Sequence, residues 1–239
     1  MTTDDESRRR LRAAVYSADG ESVVRMLAEN CLPDDALQLA GDGLLAALDQ
    51  RVENAPELAR RFAAALRGRA WPGDVTLADQ LEAAVGTGPQ PLLRSLPVDL
   101  DELADVLEGD PTQGDGHIDL STGEVWTSSA VEYAIETEDE DSDAFDDPSR
   151  WLFVECRGSH LGFQDMERFI ATIEDADRVE RLGIAIEGRG AFRRFKGVLS
   201  RWPGELDRWL AFSDERKRGR AREWLAAAGY RVAPRRQRP

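Results

Sequence analysis

GHIDLSTGEVW, residues 116 to 126, separates this chain from an all-helical one. Ile118 and Leu120 alternate with His117 and Asp119. Ser121-Thr122-Gly123 then offers a tight turn containing the glycine such turns demand, and Val125 resumes the alternation. WLFVEC (151 to 156) reads as a further strand and VEYAIE (131 to 136) as another, so a small antiparallel sheet is predicted. Between them the acidic loop 136–147 contains EDEDSDAFDD. Its like charges repel and its few apolar groups cannot offset the entropy of ordering, so a mobile loop is expected.

On both sides of this sheet the period changes to that of a helix. Leu11, Ala14, Val15 and Ala18 share one face, Asp19-Gly20 breaks the run, and Val23, Val24, Met26 and Leu27 resume it. Leu44, Leu45 and Leu48 repeat the spacing. Pro56 opens a helix carrying Leu58, Phe62, Ala65 and Leu66, which Gly68 and Pro72 stop; Leu77, Leu81 and Val85 mark the next. GTGPQP (86 to 91) sustains neither helix nor central strand. The expected organisation is an alanine-rich helical domain over 1–85, a linker over 86–97, an α+β domain over 98–230 and a disordered tail over 231–239. The fold class is α+β and predominantly helical: an N-terminal helical bundle, then the small sheet packed with C-terminal helices.

Within 98–230, Leu100, Leu103, Val106 and Leu107 define a short acidic helix that Asp99 or Asp101 can cap. From residue 163 the pattern is again helical. Met166, Phe169, Ile170 and Ile173 form one stripe, and Val179, Leu182, Ala185 and Ile186 another. In GRGAFRRFKGVLSRW (188 to 202) the predicted anchors Phe192, Phe195, Leu199 and Trp202 fill one arc, while Arg193, Arg194, Lys196 and Arg201 occupy the other. Pro203 starts a helix, and Ser213 with Asp214 is expected to start the last one.

The order of these elements resembles a bacterial family. A strand ending in Asp119-Leu120 is followed by the turn Thr122-Gly123-Glu124-Val125. Met166 with Phe169-Ile170 comes next, then Gly190 to Lys196, Trp209 and Trp224-Leu225. The likeness, over about residues 97 to 230, is to the Uncharacterised Protein Family one hundred and fifty-eight of the UPF series. It implies a fold boundary and supplies no catalytic residues.

Composition narrows the function. The 239 residues are 41% hydrophobic and 32% charged, with a formal net charge of -15. Residues 188 to 239 hold 15 bases and five acids, a net +10, which leaves -25 on residues 1 to 187. No run approaches the ~20 apolar residues of a membrane span, and the first residues lack a signal-peptide core, so a cytoplasmic protein with no membrane partner is expected. Cys31 and Cys156 are too few for a disulfide framework or a zinc site. Alternation sets Cys156 with Leu152 and Val154, away from His117, and the histidines 117 and 160 are expected at the surface. The pairs Gly41/Gly43, Gly86/Gly88 and Gly188/Gly190 make no nucleotide fingerprint, and no cofactor or metal is expected.

Two uses of the basic end compete. In the first, a non-enzymatic adaptor meets an acidic protein partner through Arg189, Arg193, Arg194, Lys196, Arg201, Arg216, Lys217, Arg218 and Arg220. In the second, the same side chains contact the phosphates of a nucleic acid. A hydrolase or metal-dependent enzyme comes third, and no catalytic residue is assigned.

Overall fold

The computed structural model describes residues 3–29, 36–137 and 142–234. Cys31, the centre of the acidic loop (138–141) and the last five residues (235–239) lie outside them. Five helices come first: α1 (Thr3–Tyr16), α2 (Gly20–Glu29), α3 (Leu37–Asp49), α4 (Ala55–Arg69) and α5 (Asp74–Ala84). Their apolar faces close one cluster, with Leu11, Leu27, Leu44, Leu66, Leu77 and Leu81 at its centre. These are the stripes read from the period of 3.6.

Strand β1 (Arg94–Leu96) and helix α6 (Leu100–Leu107) follow, and Asp99 caps α6 by accepting from the Asp101 amide at 2.8 Å. Then come β2 (Gly116–Asp119), β3 (Val125–Thr127), α7 (Ser128–Glu136) and β4 (Trp151–Val154). The sheet order is β3-β2-β4, all antiparallel, with Ile118 opposite Val125 and Leu152. Asp119 folds the hairpin turn: its carboxylate accepts from the Ser121 amide at 2.7 Å, and its carbonyl accepts from the Gly123 amide at 2.7 Å. Gly123 has φ +78°, and a Cβ there would come 2.6 Å from the Pro97 carbonyl, so the residue type is required.

The C-terminal part holds α8 (His160–Ile170), α9 (Ala176–Ile186), α10 (Ala191–Leu199), α11 (Pro203–Ala227) and β5 (Tyr230–Val232). The protein is α+β and predominantly helical, as its periods predict.

Several elements differ from the sequence reading. VEYAIE is not a strand: it lies in α7, because the Thr127 hydroxyl caps that helix on the Ala130 amide and turns Val131 and Ala134 inward together. Ser213 and Asp214 do not begin a helix; α11 runs through them for 25 residues. Arg94–Leu96, inside the expected linker, pairs in parallel with Tyr230–Val232, so residues 231 and 232 belong to a strand and not to the tail. The described end of the acidic loop is anchored: Phe145 is buried against Trp151, ring centres 4.7 Å apart. His117 is half-buried in the same nest, between Phe145 and Phe153, and burial lowers its pKa against the pull of Asp146 and Asp115. His160 is exposed. Cys156 lies just past β4, half-buried, its amide held by Asp115 at 2.8 Å.

Helix α11 packs against α3, α5, α6, α8 and α10. Ala221 and Leu225 join the cluster of α6 and the sheet, while Trp209 joins that of α8, α9 and α10. Midway it meets the turn before α5 so closely that a Cβ on Gly219 would sit 2.2 Å from the Pro72 carbonyl oxygen. Only glycine permits that approach.

Of the expected anchors, Phe195 and Leu199 are fully buried, whereas Phe192 and Trp202 are half-buried at the edge of the same cluster. Arg194 does not simply face water. Its guanidinium donates to the carbonyls of Ala185 (3.1 Å), Glu187, Gly188 (3.4 Å) and Arg189, closing the end of α9. Arg194→Ala should therefore cost about 1 kcal/mol or somewhat more. Equilibrium unfolding in urea reads this, and an unchanged midpoint would mean the carbonyls are equally well served by water.

Candidate functional site

The bases of the C-terminal part fall into two sets, and helix geometry decides which. On α11, Arg216, Arg218, Arg220 and Arg222 stand at every second position, about 200° apart on the wheel. Arg216 and Arg220 therefore share one side of the helix, and Arg218 and Arg222 the other.

The first side meets α8 and α6. Arg216 Nε donates to Asp165 at 2.9 Å, Arg220 Nη1 reaches the other Asp165 oxygen at 2.7 Å, and Arg220 grips Glu108 with two bonds of 2.5 and 2.8 Å. The second side meets α3 and α6. Arg218 bonds Asp42 at 2.9 Å and Asp101 at 2.5 Å, while Arg222, only 1% exposed, bonds Asp42 at 2.6 Å and Gln38 Oε1 at 2.8 Å. Burial alone would raise the Asp42 pKa, but Arg222 and Arg218 outweigh it and hold the carboxyl below its ordinary value. The phenol of Tyr16 donates to Asp101, and burial together with that carboxylate pushes the phenol up to about 12.

Between the arginines, Glu215 points into the N-terminal helices. It accepts from the amides of Gln38 (2.8 Å) and Leu39 (3.0 Å), the first-turn donors of α3, and from Arg69 at 3.1 Å. This is an N-cap supplied from another helix. Burial pushes the Glu215 pKa up against these donors. Arg69 also bonds Asp74 at 2.7 Å, and Trp71 lies against both Arg69 and Arg216, 4.2 and 5.1 Å from ring centre to guanidinium.

Arg216, Arg218 and Arg220, offered by the sequence reading to an external partner, are thus turned inward and paired. Charge alternation along α11 looks like a solvated face, but the acids that neutralise it come from distant helices. Lys217 lies at the helix surface, 3.7 Å from the exposed Asp105. The sequence reading singles out none of Asp42, Glu108 and Asp165, and names Asp101 only as a possible cap of α6. A lone carboxylate inside an apolar stretch, as in LAGDGLLAAL, is the signal that could have found Asp42.

The second set lies at the corner between α9 and α10. Gly188 and Gly190, with φ +68° and +77°, turn the chain sharply there. Arg189, Arg193, Lys196 and Arg201 are exposed and form no ion pair among the described residues. Arg193 and Lys196, three apart on α10, are neighbours on its surface, and Arg189 stands just before the helix, beyond the Gly190 turn. Among the described residues, no group of three or more His, Cys, Asp or Glu side chains could hold a metal ion. No described helix is long and apolar enough to cross a membrane.

Both sets of bases lie in a segment that a family model matches. The UPF0158 protein PA5073 of Pseudomonas aeruginosa is 30% identical over 136 residues, which is 56% of this chain and 84% of the relative. No solved structure matches. The model of the Uncharacterised protein family (UPF0158) matches residues 90–237, from β1 through α11 and β5. The helices that supply Gln38, Asp42, Arg69 and Asp74 precede the matched segment. Hairpin, α8, α10 and α11 all fall within it, and the chain belongs to the UPF0158 family.

Proposed function

We propose that this chain is a non-enzymatic cytoplasmic binding protein that docks an acidic protein partner on the α9–α10 corner. The observation that carries this reading is the division of the bases. On α11, Arg216, Arg218, Arg220 and Arg222 are consumed inside the fold, whereas Arg189, Arg193, Lys196 and Arg201 are exposed and unpaired among the described residues. Cations left at the surface of a strongly acidic molecule steer anionic partners to one place.

A nucleic acid is the second reading, and the same division weakens it. Four free cations in place of nine limit the dependence of log K on log salt to a slope of about -3 to -4. The remaining acidic surface repels a polyanion.

The test compares wild type with Arg193→Gln/Lys196→Gln, whose stability should stay within about 0.5 kcal/mol because both positions are exposed. Native pull-downs, with and without nuclease, should show a partner that survives nuclease and is released by the double variant. A partner lost to nuclease, with the salt slope given above, would favour nucleic acid. Retention of every partner by the double variant would overturn both readings.

A further inference from the structure

The outer face of the three-stranded sheet carries an aromatic nest. His117 stands opposite Trp126 and Phe153, and Asp119 opposite Trp151, so these side chains share the face away from Ile118, Val125 and Leu152. The short turn Ser142–Asp146 sets Phe145 against three of them. Its ring centre is 4.7 Å from Trp151, 5.6 Å from His117 and 6.0 Å from Trp126. Phe145 and Trp151 are buried, whereas Phe153 is 53% exposed.

Three polar atoms in this nest are buried without a hydrogen-bond partner among the described residues: His117 Nδ1, Trp126 Nε1 and Trp151 Nε1. For the indoles that is a fixed cost. For His117 the cost depends on pH. A neutral imidazole can carry its proton on Nε2 and leave Nδ1 bare. An imidazolium must place an N–H on Nδ1 as well, charged and with no acceptor beside it.

The acids that act on this ring are Asp146, on the turn that carries Phe145, and Asp115, just before β2. Of the other groups around it, Asp119 is engaged by Ser121, and Asp143 is exposed on the turn. Helix α7 brings the exposed Glu132, Tyr133 and Glu136, and β3 and β4 carry no ionisable side chain. At the ends of β4, Arg150 stacks on Trp151 at 4.9 Å and Glu155 is exposed. Burial outweighs Asp146 and Asp115 and favours the neutral ring.

We propose that His117 is an acid-triggered release for Phe145: taking up a proton destabilises the closed nest, and the turn Ser142–Asp146 lifts from the sheet face. The closed form binds fewer protons than the open one, so its stability is complete above the open-state value of about 6.5. As pH falls from there toward the lowered value of the closed form, the ratio of closed to open shrinks by up to about tenfold per pH unit. Opening bares Trp126 and Trp151 beside Phe153. None of the cations at the α9–α10 corner takes part.

The experiment titrates the full chain from about pH 8 to about pH 5. It follows the His117 ring by NMR, the fluorescence of the apolar dye anilinonaphthalene sulfonate, and helix content by far-UV circular dichroism. The ring should titrate below about 6.5. Dye fluorescence should rise several-fold as pH falls through that range while helix content holds. His117→Phe keeps an aromatic ring that takes no proton, and should abolish the rise. Phe145→Ala should bind dye at every pH and return the His117 titration toward its ordinary value, because water reaches the imidazole. A dye response that survives in folded His117→Phe would overturn the proposal, and so would an imidazole titrating at or above about 6.5. Loss of helix content together with the dye response would make the event global acid unfolding and would also overturn it. Should His117→Phe fail to fold, Phe145→Ala decides: an unchanged His117 titration would show that Phe145 does not cover the ring.

Discussion

Replacing Asp42 by alanine is expected to cost about 3 to 5 kcal/mol of folding stability, the usual result of leaving buried charge without its counter-charge. Asp42 takes one bond from Arg218 and one from Arg222, and both guanidinium groups are almost wholly removed from water. Arg218 keeps Asp101, but Arg222 would retain only the neutral Gln38. The exposed pair Arg12–Asp214, at 3.0 Å, provides the contrast: Arg12→Ala should change stability by less than about 1 kcal/mol. Because the folded Asp42 pKa is depressed, its contribution is fully present above the unfolded value near 3.9. It is lost as pH falls through the folded value, so at neutral pH the pair is constant and acid removes it. Urea unfolding at pH 7 and through the acid range measures both effects. A loss below about 1 kcal/mol for Asp42→Ala would show that water replaces the carboxylate and that the α11 ladder is not a structural joint.

Phe195→Ala should be comparably damaging, at about 3 to 5 kcal/mol. The ring has no exposed surface and stands edge-on to Trp209 and Phe169, at centroid distances of 4.9 and 6.3 Å. Truncation leaves a cavity facing those rings and Leu199, and rigid aromatic neighbours collapse poorly into such a space. The shift in urea midpoint at constant slope reads the cost. A loss under about 1.5 kcal/mol would mean that α10 relaxes onto α11 and that its anchoring lies elsewhere.

The sequence disclosed what is local. The hairpin was legible because alternation and Gly123 act within eleven residues, and the stripes of α1 to α5 because each helix repeats its own period. Residues 131 to 136 misled because Val131, Tyr133 and Ile135 alternate as a strand would; the hydroxyl of Thr127, outside that window, decides for helix. Strands β1 and β5 are three residues each, too short for any period, and their pairing joins residues far apart. The cationic corner was visible as composition. Its separation from the α11 arginines was not, because the deciding acids Asp42, Asp101, Glu108 and Asp165 are distant in the chain.

Gln38 and Leu39 wait for a carboxylate 177 and 176 residues further along the chain. Helix α3 leaves the ribosome well before α11 and is therefore completed only when α11 is made. Until Glu215 and the arginines beside it are made, α3 has two uncapped amides, and Asp42 is a bare charge in an apolar helix. Such long-range closure slows folding. It also couples completion of the bundle to synthesis of α11: a nascent chain stalled before α11 presents an unfinished bundle, and only the arrival of Glu215, Arg218 and Arg222 locks it shut.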